Sequence, residues 1–185
     1  PANTENFQIQ FDKFEEMLTP KTKAVIVNSP NNPSGVVYSE ETIKKLADIL
    51  KAKSQEFGHP IFIISDEPYR ELVYGNLQVP YIPKYYKNTL VCYSWSKSLS
   101  LPGERIGYIA VPDEVADFGM VYGAIAGAAR VLTHVNASSL FQRVVARCVD
   151  EPSNIAAYER NGNMLYNGLL EAGFSCQKPQ GAFYL

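Results

Sequence analysis

Residues 24–35 read A-V-I-V-N-S-P-N-N-P-S-G, a short apolar run rich in β-branched side chains that stops at a polar turn broken by prolines. An unalternated apolar run of this length, bounded by turn residues, fits a strand buried on both faces. The pattern recurs. I-F-I-I-S at 61–65 runs into D-E-P-Y at 66–69, L-V-C-Y-S at 90–94 runs into W-S-K, and I-G-Y-I-A-V at 106–111 is closed by Pro112. Between the first two runs, Ser39 can cap a helix whose apolar positions Ile43, Leu46, Ala47 and Leu50 fall at i, i+3, i+4 and i+7, ending near Gly58-His59-Pro60. Apolar strands separated by a helix or a long connection predict an α/β fold, a three-layer sandwich around a mostly parallel mixed sheet.

Outward from these strands the chain turns helical. F-D-K-F-E-E-M-L places Phe11, Phe14 and Leu18 at helical spacing before Thr19-Pro20. After Pro112, helices are expected over roughly 114–131, 138–149 and 154–172, the last stopped by Gly173. No internal repeat or low-complexity segment interrupts them.

Composition narrows the function class. The chain has 185 residues, 46% of them hydrophobic, enough for one substantial core. Its formal charge of −2 comes from mixed signs with no basic stripe, so nucleic acid is not an expected partner. No apolar run of 18 residues appears, so no membrane span is expected. Cys92, Cys148 and Cys176 are far apart and odd in number, which fits buried, reduced thiols in a cytoplasmic protein. His59 and His134 have no carboxylate spacing around them that suggests a metal, and none is expected. The tyrosines at 74, 81, 85 and 86 are expected in surface packing or a dimer contact. The glycine-containing stretch 117–129 lacks G-x-G-x-x-G and reads as close helix packing. The chain opens on Pro1 and stops in the strand-like G-A-F-Y-L, so a piece of a longer protein is expected.

In an open α/β sheet, ligands collect beyond the carboxyl ends of the strands. Three of the four runs end in unusual polar sequence there. Asp66 leaves its strand at the carboxyl end, where a carboxylate can hold a cationic ring nitrogen; Tyr69 follows across a proline. Asn32 sits in an Asn-Pro pair that is a candidate for the cis isomer. The stretch S-W-S-K-S-L-S-L-P-G-E-R at 94–105 brings hydroxyls, Lys97 and Arg105 together, the groups that bind a phosphate. A lysine amine kept neutral by desolvation and neighbouring cations also becomes a nucleophile able to form a Schiff base with an aldehyde. Each stretch alone reads equally as an ordinary turn or solvated loop. Together they describe pyridoxal 5'-phosphate: a phosphate, an aldehyde, a phenolic oxygen needing donors and a ring nitrogen needing an acid.

P-N-N-P-S-G at 30–35, D-E-P-Y at 66–69, S-W-S-K at 94–97 and G-E-R-I-G at 103–107 resemble the class I/II, fold type I, pyridoxal-phosphate-dependent aminotransferases. The order and the separations match, 34 residues from Asn32 to Asp66, 31 on to Lys97 and eight on to Arg105, and K-P-Q-G-A-F-Y near the end is similar too. The resemblance implies residues 1–150 as a partial cofactor-binding large domain, and 151–185 as the connecting helix and start of a small domain. It implies a catalytic group of Lys97, Asp66 and Tyr69: Lys97 as the Schiff-base lysine and proton carrier, Asp66 on the pyridine nitrogen, and Asn32 and Tyr69 on the phenolic oxygen. Ser94, Ser96 and Arg105 would hold the phosphate.

Substrates would be an L-amino acid and a 2-oxo acid, and the whole protein a homodimer. The resemblance also implies that the strand at 106–111 runs antiparallel, with the order 106–111, 90–94, 24–28, 61–65. Ser34 and Trp95 depart from the family's usual residues without touching the chemistry. The phosphate-capping loop, the ring-stacking aromatic and the arginine for the substrate carboxylate have no counterpart in this sequence, so these 185 residues alone are expected to be inactive. A C-S lyase, racemase or decarboxylase of the same fold, or an aminotransferase-like regulatory domain, remains the alternative.

Overall fold

The structure is a computed structural model and describes residues 2, 3 and 5–185. Four strands form one sheet: β1 (Ala24–Asn28), β2 (Phe62–Asp66), β3 (Thr89–Ser94) and β4 (Gly107–Ala110). They lie in the order β1-β2-β3-β4, the first three parallel and β4 antiparallel to β3. The mixed sheet and the antiparallel last strand agree with expectation.

The strand order does not. The 62–66 strand lies between the other two parallel strands, not at the edge beyond 24–28. Burial gives the physical reason: Ile61 and Ile63 are fully buried and Ser65 nearly so, whereas Ile26 of β1 is 71% exposed. The strand with the more completely covered side chains takes the interior place, and β1 becomes an edge.

Helix α1 (Phe11–Met17) precedes β1, and α2 (Glu40–Phe57) joins β1 to β2. Ser39 caps α2 by accepting the Thr42 N–H, and Gly58 closes it in a left-handed conformation, φ 71°. The helical spacing at 43, 46, 47 and 50 buries all four residues against Val27, Ile61 and Ile63, with Phe11, Phe14 and Leu18 packed alongside. Tyr86 belongs to the same core, and Tyr74 is buried with its hydroxyl donating to the Ala182 carbonyl. Of the tyrosine cluster, only Tyr81 is strongly exposed, which corrects the expectation of a surface role for Tyr74 and Tyr86.

Side chains alternate across a sheet, and directly paired residues share a face. Val25, Val27, Ile63 and Val91 therefore face α2, while the row Asn28, Asp66, Cys92, Ile109 faces the opposite side. Over that second face lies α4 (Phe118–Val131), followed by α5 (Ser139–Cys148) and α6 (Ile155–Glu171). This second helical layer reaches β3 and β4 but leaves Ile26 of β1 open. A one-turn helix α3 (Trp95–Ser98), which the sequence pattern does not show, starts directly at the end of β3.

Two glycines are required by close approach. A Cβ on Gly107 would lie 2.4 Å from the Tyr93 carbonyl oxygen, and one on Gly181 would lie 2.6 Å from that of Leu72. The first lets β4 pair tightly with β3. The second lets the end of the chain dock: Ala182 N–H donates to Leu72 O, and the Gly181 and Gln180 N–H groups both donate to Gly35 O.

Candidate active site

Three candidate residues close strands. Asp66 is the last residue of β2, Ser94 the last of β3, and Asn28 the last of β1. Because these strands are parallel neighbours, their carboxyl ends open at one place. A cavity of about 690 Å³ lies there, between the sheet and α4, and Asp66, Cys92, Ser94, Arg105 and Tyr108 line it. Three of the residues picked from sequence, Asp66, Ser94 and Arg105, thus share one cavity although the chain separates them by up to 39 positions.

The remaining four do not line the cavity but are linked to its neighbours. Ser94 Oγ donates to Ser96 Oγ at 3.2 Å, on the first turn of α3. Lys97, on the same turn, holds its Nζ 5.7 Å from the Tyr69 ring centroid and 5.4 Å from that of Phe183. This is cation–π range, and it sets the amine beside the D-E-P-Y turn that follows β2. Tyr69 is 3% exposed. Its hydroxyl shares a 2.7 Å hydrogen bond with the Tyr184 hydroxyl, and the Asn32 side chain lies close enough to act on its titration. The Asn32–Pro33 bond is cis, as is Ser29–Pro30. Arg105 takes a left-handed conformation, φ 52°, and donates from Nη1 to the Pro102 carbonyl at 2.8 Å, leaving its other N–H groups available.

The electrostatics follow from burial. Loss of hydration pushes the Asp66 carboxyl above the usual aspartate range, and the neighbouring Glu67 charge adds to it. Burial also raises the Tyr69 hydroxyl, reinforced by the Tyr184 bond, while the Asn32 contact acts in the other direction; Tyr69 is a neutral phenol with a proton to donate at any ordinary pH. The Cys92 thiol is raised by burial and by the Asp66 and Glu67 charges, so it stays a thiol rather than a competing nucleophile.

A raised carboxyl pKa has a stability consequence. The folded state binds the Asp66 proton more tightly than the unfolded chain, so ionisation favours unfolding, and stability falls as pH rises from about 3.9 through the raised folded value. Asp66→Asn should therefore unfold at higher urea than the wild type at pH 7, with the difference gone at pH 3. Urea melts at the two pH values check this, and an equal gain at both would refute the assigned cause.

The sequence reading passed over two partners of this site. Asn28 ends its strand in an amide that contacts both Asp66 and the Asn32 turn, and its position as the first polar residue after A-V-I-V was the available signal. Tyr184 lies 115 residues from the phenol it bonds, and nothing local announces it. Among the described residues no cluster of three metal-ligating side chains occurs. His59 bonds the Pro60 and Pro20 carbonyls instead, and His134 lines the cavity with Nδ1 2.8 Å from the Leu132 carbonyl. The three cysteines are free and half-buried rather than fully enclosed.

The sequence matches the family described as aminotransferase class I and II over residues 1–185. The chain belongs to that family. It is 35% identical to an aspartate aminotransferase of Geobacillus stearothermophilus, across 97% of this chain and 45% of that protein. It is 31% identical to aromatic-amino-acid aminotransferase 2 of Thermococcus litoralis, across 100% and 47%. Among solved structures, an amino transferase from Eubacterium rectale is 60% identical and superposes with a TM-score of 0.95, over 98% of this chain and 46% of that one. The chain thus spans rather less than half the length of these relatives. Its fold is that of fold type I. No helix among the described residues is long and apolar enough to cross a membrane.

Proposed function

We propose that this chain is the central cofactor-binding part of a pyridoxal-phosphate-dependent transaminase, which moves an amino group between an L-amino acid and a 2-oxo acid. The observation that carries the reading is the convergence of Asp66, Ser94 and Arg105 on one cavity at the strand ends, with Lys97 on the turn that follows Ser94 and its amine over the Tyr69 ring. The donor set fits the cofactor: one carboxylate, a guanidinium with unused N–H groups, two linked hydroxyls, an amine and a neutral phenol.

When bound, pyridoxal phosphate supplies an aldehyde that condenses with amines and a pyridinium ring that accepts electron density from the substrate α-carbon. Asp66 holds the proton at the ring nitrogen. Its burial makes an isolated charge costly there, and that cost is offset when a cation meets it. Ser94, Ser96 and Arg105 bind the phosphate, Arg105 with its free fork. Tyr69 and Asn32 donate to the phenolic oxygen. Lys97 would supply the nucleophilic amine at Nζ and would carry a proton at that same atom.

Residues 1–150 make up this cofactor-binding part, and 151–185 lead through α6 toward a smaller domain. The whole protein is a cytoplasmic homodimer in this reading, and the 185 residues alone turn over negligibly. Product analysis on the whole protein with pyridoxal phosphate tests the reaction. Matched formation of a keto acid and a new amino acid is expected; ammonia, thiol, carbon dioxide or a D-amino acid as the product would instead point to a lyase, decarboxylase or racemase.

A further inference from the structure

Asn28 stands at the meeting point of two of the three strand-end segments. Its Nδ2 donates to the Asp66 main-chain oxygen at 2.9 Å and to the Asp66 carboxylate Oδ2 at 3.2 Å. Its Oδ1 accepts the Asn32 N–H at 2.7 Å. The sheet register pairs Asn28 directly with Asp66, and Asp66 with Cys92, so all three side chains leave the same face. An amide offers a donor and an acceptor on one rigid plane, and here both ends are used on site residues.

We propose that Asn28 is a positioning residue: a single side chain that aims the Asp66 carboxylate into the cavity and fixes the Asn32 turn against it. The geometry supports this over a purely structural role. The bond to the main chain of Asp66 would suffice to hold the strand end, whereas the bond to Oδ2 fixes the carboxylate rotamer. One oxygen is thereby bonded to Asn28, and the other is left for a ligand. Tyr69, which Asn32 contacts, is coupled to the same point through the turn. The inference rests on the reading that Asp66 meets a ring nitrogen, since only then does its aim matter for function.

The groups that also face Asp66 are Glu67 beside it, Cys92 on β3, Tyr69 after the strand, and Glu104, Arg105 and His134 around the cavity. Their own titrations are separable, because the measurement follows the Asp66 carboxyl carbon itself. In carbon-detected NMR of the 185-residue chain without cofactor, Asn28→Ala should raise the Asp66 midpoint by about one pH unit, through loss of a hydrogen bond to the charged form. Asn28→Asp keeps an acceptor for the Asn32 N–H but puts a like charge against Asp66, and should raise the midpoint further. In the wild-type chain the Asn28 side-chain amide should titrate with the Asp66 midpoint. That reading needs no variant and decides the matter should neither variant fold.

An Asp66 midpoint unchanged in folded Asn28→Ala, or a wild-type Asn28 amide indifferent to that titration, would overturn the proposal. Parallel binding titrations with pyridoxal phosphate should show the affinity of folded Asn28→Ala reduced about tenfold, a figure equivalent to the same one-unit shift. Wild-type chain that takes up no pyridoxal phosphate would mean that these residues alone do not organise the cofactor's site, and the carboxyl titration would still decide the role of Asn28; the transaminase reading stands or falls separately, on the products formed by the whole protein.

Discussion

Lys97→Ala should abolish specific capture of pyridoxal phosphate. Wild-type chain incubated with the cofactor, reduced with borohydride and mapped by peptide mass should carry the added mass on the peptide containing Lys97. The variant should show only the scattered, low-level labelling common to surface lysines. The expectation comes from placement. Lys97 starts one residue beyond the Ser94–Ser96 hydroxyl pair, on a helical turn too short to move independently of β3, with its amine set over the Tyr69 and Phe183 rings. An aldehyde whose phosphate is held at Ser94 and Arg105 meets this amine at high effective concentration, whereas the other lysines meet it only from solution. Changing Arg105 to Ala should reduce labelling of Lys97 without altering the background. Equal labelling of many lysines in the wild type would mean that these residues by themselves do not organise the cofactor's site.

The second large effect is on stability and involves no residue of that site. Glu67, next to Asp66, is 3% exposed. Its carboxylate accepts from Ser65 Oγ at 2.6 Å and from Arg70 Nη1 at 2.7 Å, while Arg70 Nη2 donates to the Val79 carbonyl at 3.1 Å. Removing the cation leaves a buried charge with one neutral donor, and breaking such a pair costs about 3 kcal/mol or more. Arg70→Ala should lose about that much in urea unfolding, and the double variant Arg70→Ala/Glu67→Gln should recover a good part of it. A loss below about 1 kcal/mol would mean the pair behaves as a solvent-screened surface contact.

Both predictions concern neighbours of the D-E-P-Y turn, and they show what was legible there. Asp66 and Tyr69 could be picked from the sequence only within the ordered set of strand-end motifs, because D-E-P-Y alone reads as an ordinary turn. Glu67 could not. Alternation along the strand puts Asp66 toward the cavity and Glu67 toward the other side, but which face is which depends on where α2 packs. Asn28 was similarly ambiguous: a terminal strand residue reads as a turn signal until the neighbouring strand brings Asp66 beside it.

The sequence by itself determined where the four strands and α2 lie, and marked candidate residues at the strand ends. Apolar runs gave β1 to β4 to within a residue or two, the Ser39 cap and Gly58 stop bounded α2, and the ordered polar motifs selected Asn32, Asp66, Tyr69, Ser94, Ser96, Lys97 and Arg105. These are local properties, written in side-chain periodicity and in the backbone demands of Gly and Pro.

Tertiary structure alone decided the order of the strands, and with it which strand ends touch. Placing β2 between β1 and β3 sets Asp66 between Asn28 and Cys92; the expected order would have left it at an edge. It also decided the docking of residues 180–184 beside Tyr69, which depends on Gly181 allowing a backbone approach closer than any Cβ would permit and on Gly35 taking a left-handed conformation, φ 66°. Periodicity tells which side of a strand is buried. It cannot tell what buries it, because that depends on the burial of the whole sheet, shared among residues far apart in the chain.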